Sequence, residues 1–389
     1  MKRAVIADWI LPVNQPPIAN GAIVVDEAQR IIYAGPRANM PDCDVIEEYK
    51  GQAILPGLIN AHTHLEFSDL HQPLGEAGME FTRWISEVVA YRIKHGVDKA
   101  GAIKAGIEES IKSGVAAIGE IASQPVEVSV YAESSECFLN VFQEALGAKM
   151  SDYDETILQL KKNTGLLQAL EVAPGISPHA PYSVPPALLE RLIALAEKKQ
   201  MPVAMHIAET IAEREFVEHR RGPFLEMLKE FGVWRPEMYP AEGSILQIIQ
   251  SLSRAVRSLV IHGNYLNEAE LDFIATVKDK MSIVFCPRTH HYFRHTEYPL
   301  DQILNRSINL AIGTDSRASN PDLNLMSELK EIHQRFPNLS PEMILKMGTI
   351  NGATALGVAD RLGTLEKGRA GRFCFVKLTN ANDPYSWLS

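Results

Sequence analysis

The sequence predicts an α/β fold: a (β/α)8 barrel of the TIM type, accompanied by a small β module drawn from both termini. Three observations carry this. Between Leu55 and about Gly357, short apolar runs alternate with helical patterns, the texture of parallel βα units. Eight such runs can be counted, which suits a closed barrel better than an open sheet. The length of 389 residues exceeds one ordinary core but fits a barrel with an accessory module.

In chain order, residues 1–54 hold short β-branched runs at 4–6, 21–25 and 31–33, broken by Pro, Asn and Gly, and read as hairpins. The eight barrel strands are predicted at 54–61, 115–121, 138–145, 172–177, 203–207, 258–263, 282–286 and 310–314. Helices are expected between them at 82–94, 102–113, 186–199, 212–231, 268–275 and 323–336, with Pro186 suited to a first helical turn. The longest irregular stretches, 66–80 and 220–242, follow strand ends that bear polar residues, so they are expected to wall a pocket. Turn residues at 363–368 lead into a last strand, Arg372 to Leu378. The β module is therefore placed at 1–54 and 365–389 and the barrel at 55–364.

Composition limits the function classes. The hydrophobic fraction is 46% and the charged fraction 22%, ordinary for a soluble globular chain. A formal net charge of −10 argues against nucleic acid as the main partner. Cys43, Cys137, Cys286 and Cys374 show no CxxC spacing, which suggests neither a disulfide framework nor a cysteine zinc site and fits the reducing cytoplasm. Asp8 and Pro12 interrupt the opening apolar run, so neither a signal peptide nor a membrane span is expected.

Chemistry concentrates at strand ends. In Asn60-Ala61-His62-Thr63-His64 the two histidines share one face of an extended strand. They form half of a site for a first-row metal, or two histidines that meet by chance. His179 follows strand four, His206 ends strand five, His262 ends strand six and Asp315 follows strand eight, all at the face where barrels gather function. Taken singly, His206 reads as a core histidine, Glu209 as an exposed residue of a first helical turn, and Asp315 as a helix N-cap. Glu209 joins His206 in a pocket only if the chain turns inward after the strand. With Asp315, the ligands His62, His64 and His206 would give a divalent ion one negative charge and three neutral imidazoles, leaving it a Lewis acid.

Pro56-Gly57-Leu58-Ile59-Asn60-Ala61-His62-Thr63-His64, Ser177-Pro178-His179-Ala180-Pro181-Tyr182, His206-Ile207-Ala208-Glu209, Ile261-His262-Gly263 and Gly313-Thr314-Asp315-Ser316 together resemble the amidohydrolase superfamily. The likeness is greatest to its aromatic aminohydrolase and triazine-hydrolase branch. It implies the barrel, a β-sandwich from both termini, and one divalent metal, zinc first and iron second, held by His62, His64, His206 and Asp315. Strand four lacks the lysine that bridges two metals in other members. By the same resemblance His179 contacts substrate, Glu209 moves protons, and His262 and Asp315 act on the attacking water. The implied reaction is hydrolytic deamination of an aminated heterocycle, purine-nucleoside-like, by metal-activated hydroxide, with ammonia released. S-adenosylhomocysteine and aminodeoxyfutalosine are examples of such substrates. Loss of a triazine chloride, cyclic amide hydrolysis and a non-catalytic metal-binding barrel are the alternatives.

Relatives usually have Ser-Asn where this chain has Thr289-His290, so substrate identity turns on this loop. Arg288, His290 and Arg294 are candidates to meet a carboxylate, phosphate or ribose oxygen. Trp84, with Arg83 beside it, is either a stacking wall or core. The expected partner is a small heterocycle, with no nucleic acid or membrane, and self-association stays open.

Overall fold

A computed structural model describes residues 1–95, 99–133, 136–147, 152–240 and 242–389. Two sheets organise them. The terminal sheet uses β1 (Arg3–Ile10), β2 (Ile18–Val25), β3 (Ile31–Pro36) and β4 (Val45–Pro56). The barrel uses β5 (Leu58–Thr63), β6 (Val115–Ala122), β7 (Phe138–Ala145), β8 (Ala173–Pro178), β9 (Val203–Ile207), β10 (Ser258–His262), β11 (Met281–Phe285) and β12 (Asn309–Ile312). A last strand, β13 (Phe373–Lys377), returns to the terminal sheet, giving the order β13-β4-β1-β2-β3. The protein is thus a TIM-type barrel with an additional sheet from both chain ends.

The run predicted as one strand at 54–61 divides at Gly57. Residues through Pro56 pair with β1 and β13, and those from Leu58 pair with β6. The Gly57 N–H donates to the Arg372 carbonyl at 2.8 Å. A Cβ on Gly57 would stand 2.5 Å from that of Ala116, so only glycine lets one continuous chain serve both sheets here.

β5 to β12 run parallel in sequence order, so each is joined to the next by a crossover rather than a hairpin. The ends of the order meet at the site. Thr63 bridges Asp315, the Asp315 N–H donates to the His62 carbonyl at 3.1 Å, and the Asn60 side chain exchanges two hydrogen bonds with Thr314. Gly313 permits this closure, because a Cβ there would lie 2.7 Å from the His62 carbonyl oxygen. Apolar residues, among them Ile59, Ala61, Phe142, Ala204, Leu259 and Val284, fill the interior, and Ala353 and Leu356 of helix Ile350–Leu356 close the opposite end. The barrel is a packed floor under a pocket rather than a channel.

The predicted helix at 212–231 is two helices, Ile211–His219 and Pro223–Glu230. Arg220 adopts a left-handed φ of 52° and Gly222 one of 89°, while the Arg220 guanidinium takes up the Phe216 and Val217 carbonyls at 2.6 Å. The stretch 220–242, expected to be irregular, therefore contains a helix, and that helix turns Met227 and Leu228 toward the pocket. Among the described residues no helix is long and apolar enough to cross a membrane.

Candidate metal centre and pocket

Each strand end delivers a specific side chain. His62 on β5 and His64, which continues the extended backbone one residue past the strand's end, project together as alternation requires. His206 ends β9, and its Nδ1 lies 2.8 Å from the His179 carbonyl. That carbonyl accepts the Nδ1 proton, which leaves the Nε2 lone pair free to bind a metal. His64 Nε2 and His206 Nε2 are 3.2 Å apart, and Asp315 Oδ1 stands 3.6 Å from His62 Nε2 and 3.8 Å from His64 Nε2. Ligand atoms of His62, His64 and His206, and of His62, His262 and Asp315, each fall within 4.8 Å of one another.

These residues fit a divalent ion. Both His62 nitrogens and His64 Nδ1 are buried without a hydrogen-bond partner, a costly state that a bound ion relieves at the facing atoms. Burial, with neighbouring imidazole charge, pushes His64 and His206 well below the usual histidine range. The rings are therefore neutral, the ligating form.

Backbone strain aims the remaining groups. Ala208 (φ 53°), His262 (φ 66°) and Asp315 (φ 55°) all adopt left-handed conformations, each at about 1–3 kcal/mol for a non-glycine residue. The first supplies the inward turn that the sequence demanded of Glu209. After it, Glu209 shares the cavity with His206, and its Oε1 lies 3.4 Å from His262 Nε2. Burial, then the charges of Asp315 and Glu213, push the Glu209 carboxyl well above the usual range, which favours its protonated form.

Glu213 holds this turn. Its two oxygens accept the N–H groups of Ala208 at 2.8 Å and Glu209 at 2.9 Å, and Thr210 caps the helix by accepting the Glu213 N–H at 3.0 Å. Burial pushes the Glu213 carboxyl up to about 7, with these backbone donors pulling it back. Because the folded value is raised, this group's contribution to stability is full below its ordinary value and lost as pH rises through about 7. Glu213→Gln should remove that dependence. In urea unfolding, wild type should lose on the order of 3 kcal/mol relative to the variant over that interval. Parallel pH profiles for the two proteins would refute the assignment.

The cavity above the cluster measures about 250 Å³. His64, His179, His206, Glu209, His262 and Asp315 form its floor, and Phe67, Phe81, Trp84, Val88, Met227 and Phe231 form much of its wall. The Trp84 indole N–H donates to the Ala318 carbonyl at 3.0 Å, which leaves the ring to the cavity. His179 Nδ1 lies 2.6 Å from Ser183 Oγ, and burial, then Arg92, push this ring down to about 3.

The loop after β11 departs from expectation. Arg288 does not line the cavity: it lies in the short helix Pro287–Tyr292, and its guanidinium pairs with Glu328 at 2.7 Å and Asp322 at 2.6 Å. His290 also turns away, packing against Phe285, His295 and Tyr298 with Nδ1 3.2 Å from Arg335. Arg83 and Arg294 are exposed. Pro287 starts a helix where the sequence suggested a polar loop, and the helix carries these side chains away from the pocket.

Three residues near the site went unnoticed in the sequence. Glu120 and Glu144 are carboxylates inside the apolar strands β6 and β7, and Arg92 lies on helix Phe81–His95. A buried-strand pattern interrupted by an acid was the available signal. Glu120 accepts the Leu65 N–H at 2.9 Å, anchoring the turn after His64.

Comparison with known proteins agrees with this picture. The amidohydrolase family model matches residues 53–388. The 5-methylthioadenosine/S-adenosylhomocysteine deaminase of Desulforudis audaxviator is 25% identical over 398 residues, covering 97% of this chain and 84% of the relative. A crystal structure of Helicobacter pylori aminofutalosine deaminase with methylthio-coformycin superposes with a TM-score of 0.86 at 22% identity, over 99% of this chain and 95% of that one. An adenosine deaminase from Xanthomonas campestris with bound zinc gives 0.77 at 23% identity, over 97% and 85%. At these identities the solved structures speak to fold.

Proposed function

We propose, from the premise that this chain belongs to the amidohydrolase family, that it is a mononuclear metal-dependent deaminase of an aminated heterocycle, purine-nucleoside-like in kind. The observation that carries this reading is the buried Glu209, 3.4 Å from His262 and in the same cavity as the His62, His64, His206 and Asp315 cluster. Loss of an amino group from a ring amidine needs an acid beside the ring nitrogen and a base for the attacking water, and these residues offer both.

When bound, the metal lowers the pKa of water and so supplies a nucleophile at neutral pH. His62, His64, His206 and Asp315 would hold it. Three imidazoles and a carboxylate suit zinc, with iron second, and the zinc in the Xanthomonas relative supports that order. The protonated Glu209 gives its proton to the ring nitrogen as water adds to the amino-bearing carbon. His262 and Asp315 receive the proton that water loses. Returned to the amino group, that proton lets the C–N bond break while the remaining proton of the added water passes back to Glu209, so one water and one amine become a carbonyl and ammonia and the acid is restored. The aromatic and apolar wall stacks the ring and excludes bulk water.

Names among the relatives support an adenosine-type substrate. Four cysteines, none in a disulfide, support a reducing cytoplasmic setting. The test is ammonia release across adenine nucleosides, guanine, cytosine and pterin compounds, with metal content measured on the same sample. Turnover of an adenine nucleoside by protein carrying about one divalent ion is the expected result. Ammonia from none of these compounds, with metal present, would end the deaminase reading.

A further inference from the structure

Thr289, which stands where relatives usually have serine, takes no part in the chemistry above. It is buried in helix Pro287–Tyr292, just past the end of β11. A helical threonine commonly turns its hydroxyl back to the carbonyl four residues earlier. Here the hydroxyl instead meets Ser319, with Oγ1 3.0 Å from Oγ. Ser319 is buried too, and its Oγ lies 3.2 Å from Asp315 Oδ2, with the Ser316 carbonyl a more distant acceptor at 3.5 Å. The direction of these bonds follows from their chemistry. A carboxylate only accepts, so Ser319 donates its single proton to Asp315, and Thr289 then donates to Ser319.

Both ends of this pair of bonds are anchored. The buried Glu328 accepts the Arg288 N–H at 2.9 Å and the Arg288 Nε at 2.7 Å, which fixes the helix that carries Thr289. Glu328 Oε1 also accepts from the Asn320 side chain at 2.7 Å, and Asn320 donates to the Thr314 carbonyl at 2.7 Å. One carboxylate thus clamps the loop after β11 to the loop that holds Asp315. Within that clamp the Ser319 bond engages Oδ2 and leaves Oδ1 toward His62 Nε2 and His64 Nε2, 3.6 and 3.8 Å away. The last torsion of an aspartate is broad and roughly two-fold, so a donor on one oxygen selects which oxygen faces the histidines. Neither hydroxyl residue lines the cavity.

We propose that Thr289 and Ser319 are positioning residues for the metal centre, a two-hydroxyl relay that holds Asp315 in its ligating orientation, so that the loop after β11 contributes to metal affinity. This rests on the metal-centre reading and deepens it. Outer hydrogen bonds of this kind orient metal-binding carboxylates, and loss of one costs about 10- to 100-fold in affinity or activity.

The test measures zinc affinity by chelator competition, on metal-stripped protein reloaded with zinc alone. It compares wild type, Thr289→Val, Thr289→Ser, Ser319→Ala and the double variant Thr289→Val with Ser319→Ala, each checked for cooperative thermal unfolding. Valine keeps the shape of threonine and deletes the hydroxyl, whereas serine keeps the hydroxyl. Thr289→Val and Ser319→Ala should each weaken zinc binding by roughly 10- to 100-fold, and Thr289→Ser should stay close to wild type. Because Thr289 acts only through Ser319, the double variant should bind zinc no more weakly than Ser319→Ala alone, a pattern that two independent structural roles would not produce. Losses that multiply in the double variant would overturn the relay, as would Thr289→Ser binding as weakly as Thr289→Val. Wild-type affinity in Ser319→Ala would overturn it even if Thr289→Val failed to fold. Wild type that holds no zinc would remove the metal centre itself, whereas zinc bound equally by every variant would remove only the relay.

Discussion

Asp315→Asn should lower metal content well below one equivalent and cut ammonia release by at least about 1000-fold, while thermal unfolding stays cooperative. Asparagine is the informative replacement because Asp315 sits at φ 55°, a conformation that asparagine tolerates and alanine tolerates poorly. The backbone contacts that close the barrel, through the Asp315 N–H and carbonyl, are unchanged by this exchange. What is lost is the one negative charge in the ligand set. Asp315 Oδ1 lies within 3.8 Å of both His62 Nε2 and His64 Nε2, and its Oδ2 accepts from Ser319 Oγ at 3.2 Å, which fixes the carboxylate's orientation. A neutral amide keeps the shape but gives the cation little in return for its lost hydration. Elemental analysis and a coupled ammonia assay on the same preparation decide the matter. Full metal occupancy with near-normal turnover would show that Asp315 is neither ligand nor base.

The barrel was legible because its signals are local and repeated. The parallel strands are buried on both faces and read as largely apolar runs, so residues such as Leu259 to Ile261 announce themselves. The metal cluster was legible for the opposite reason, since polar residues at the ends of such runs have little structural cause to be there. The placement of the loop after β11 was not legible because it depends on distant partners. Arg288 is held by Glu328 and Asp322, about 40 residues onward, and no local pattern shows that pairing. Glu144 was overlooked by the reverse error, an acid absorbed into the apolar run around it. Its inward orientation follows from alternation along β7, but its missing partner is visible only in three dimensions.

The division between holding the metal and moving protons is tested most sharply at Glu209. Glu209→Gln should retain full metal and lose about 1000-fold or more in kcat, because the amide keeps volume and hydrogen-bonding but cannot release a proton to the ring nitrogen. Its position depends on elements the exchange leaves alone: the left-handed Ala208, the two Glu213 hydrogen bonds, and Asn264, whose side chain donates to the Glu209 carbonyl at 3.0 Å. The variant should therefore bind substrate with KM changed by less than about tenfold, and the loss should fall on kcat. Two further readouts separate an acid from a merely polar neighbour. A purine bearing a better leaving group than ammonia needs less protonation at the ring, so the variant should lose less on it. Glu209→Asp keeps the acid but draws it back by one methylene, so it should fall between wild type and glutamine. Equal losses on both leaving groups would move the proton donor from Glu209 to another residue, and His262, 3.4 Å away, would be the next to examine.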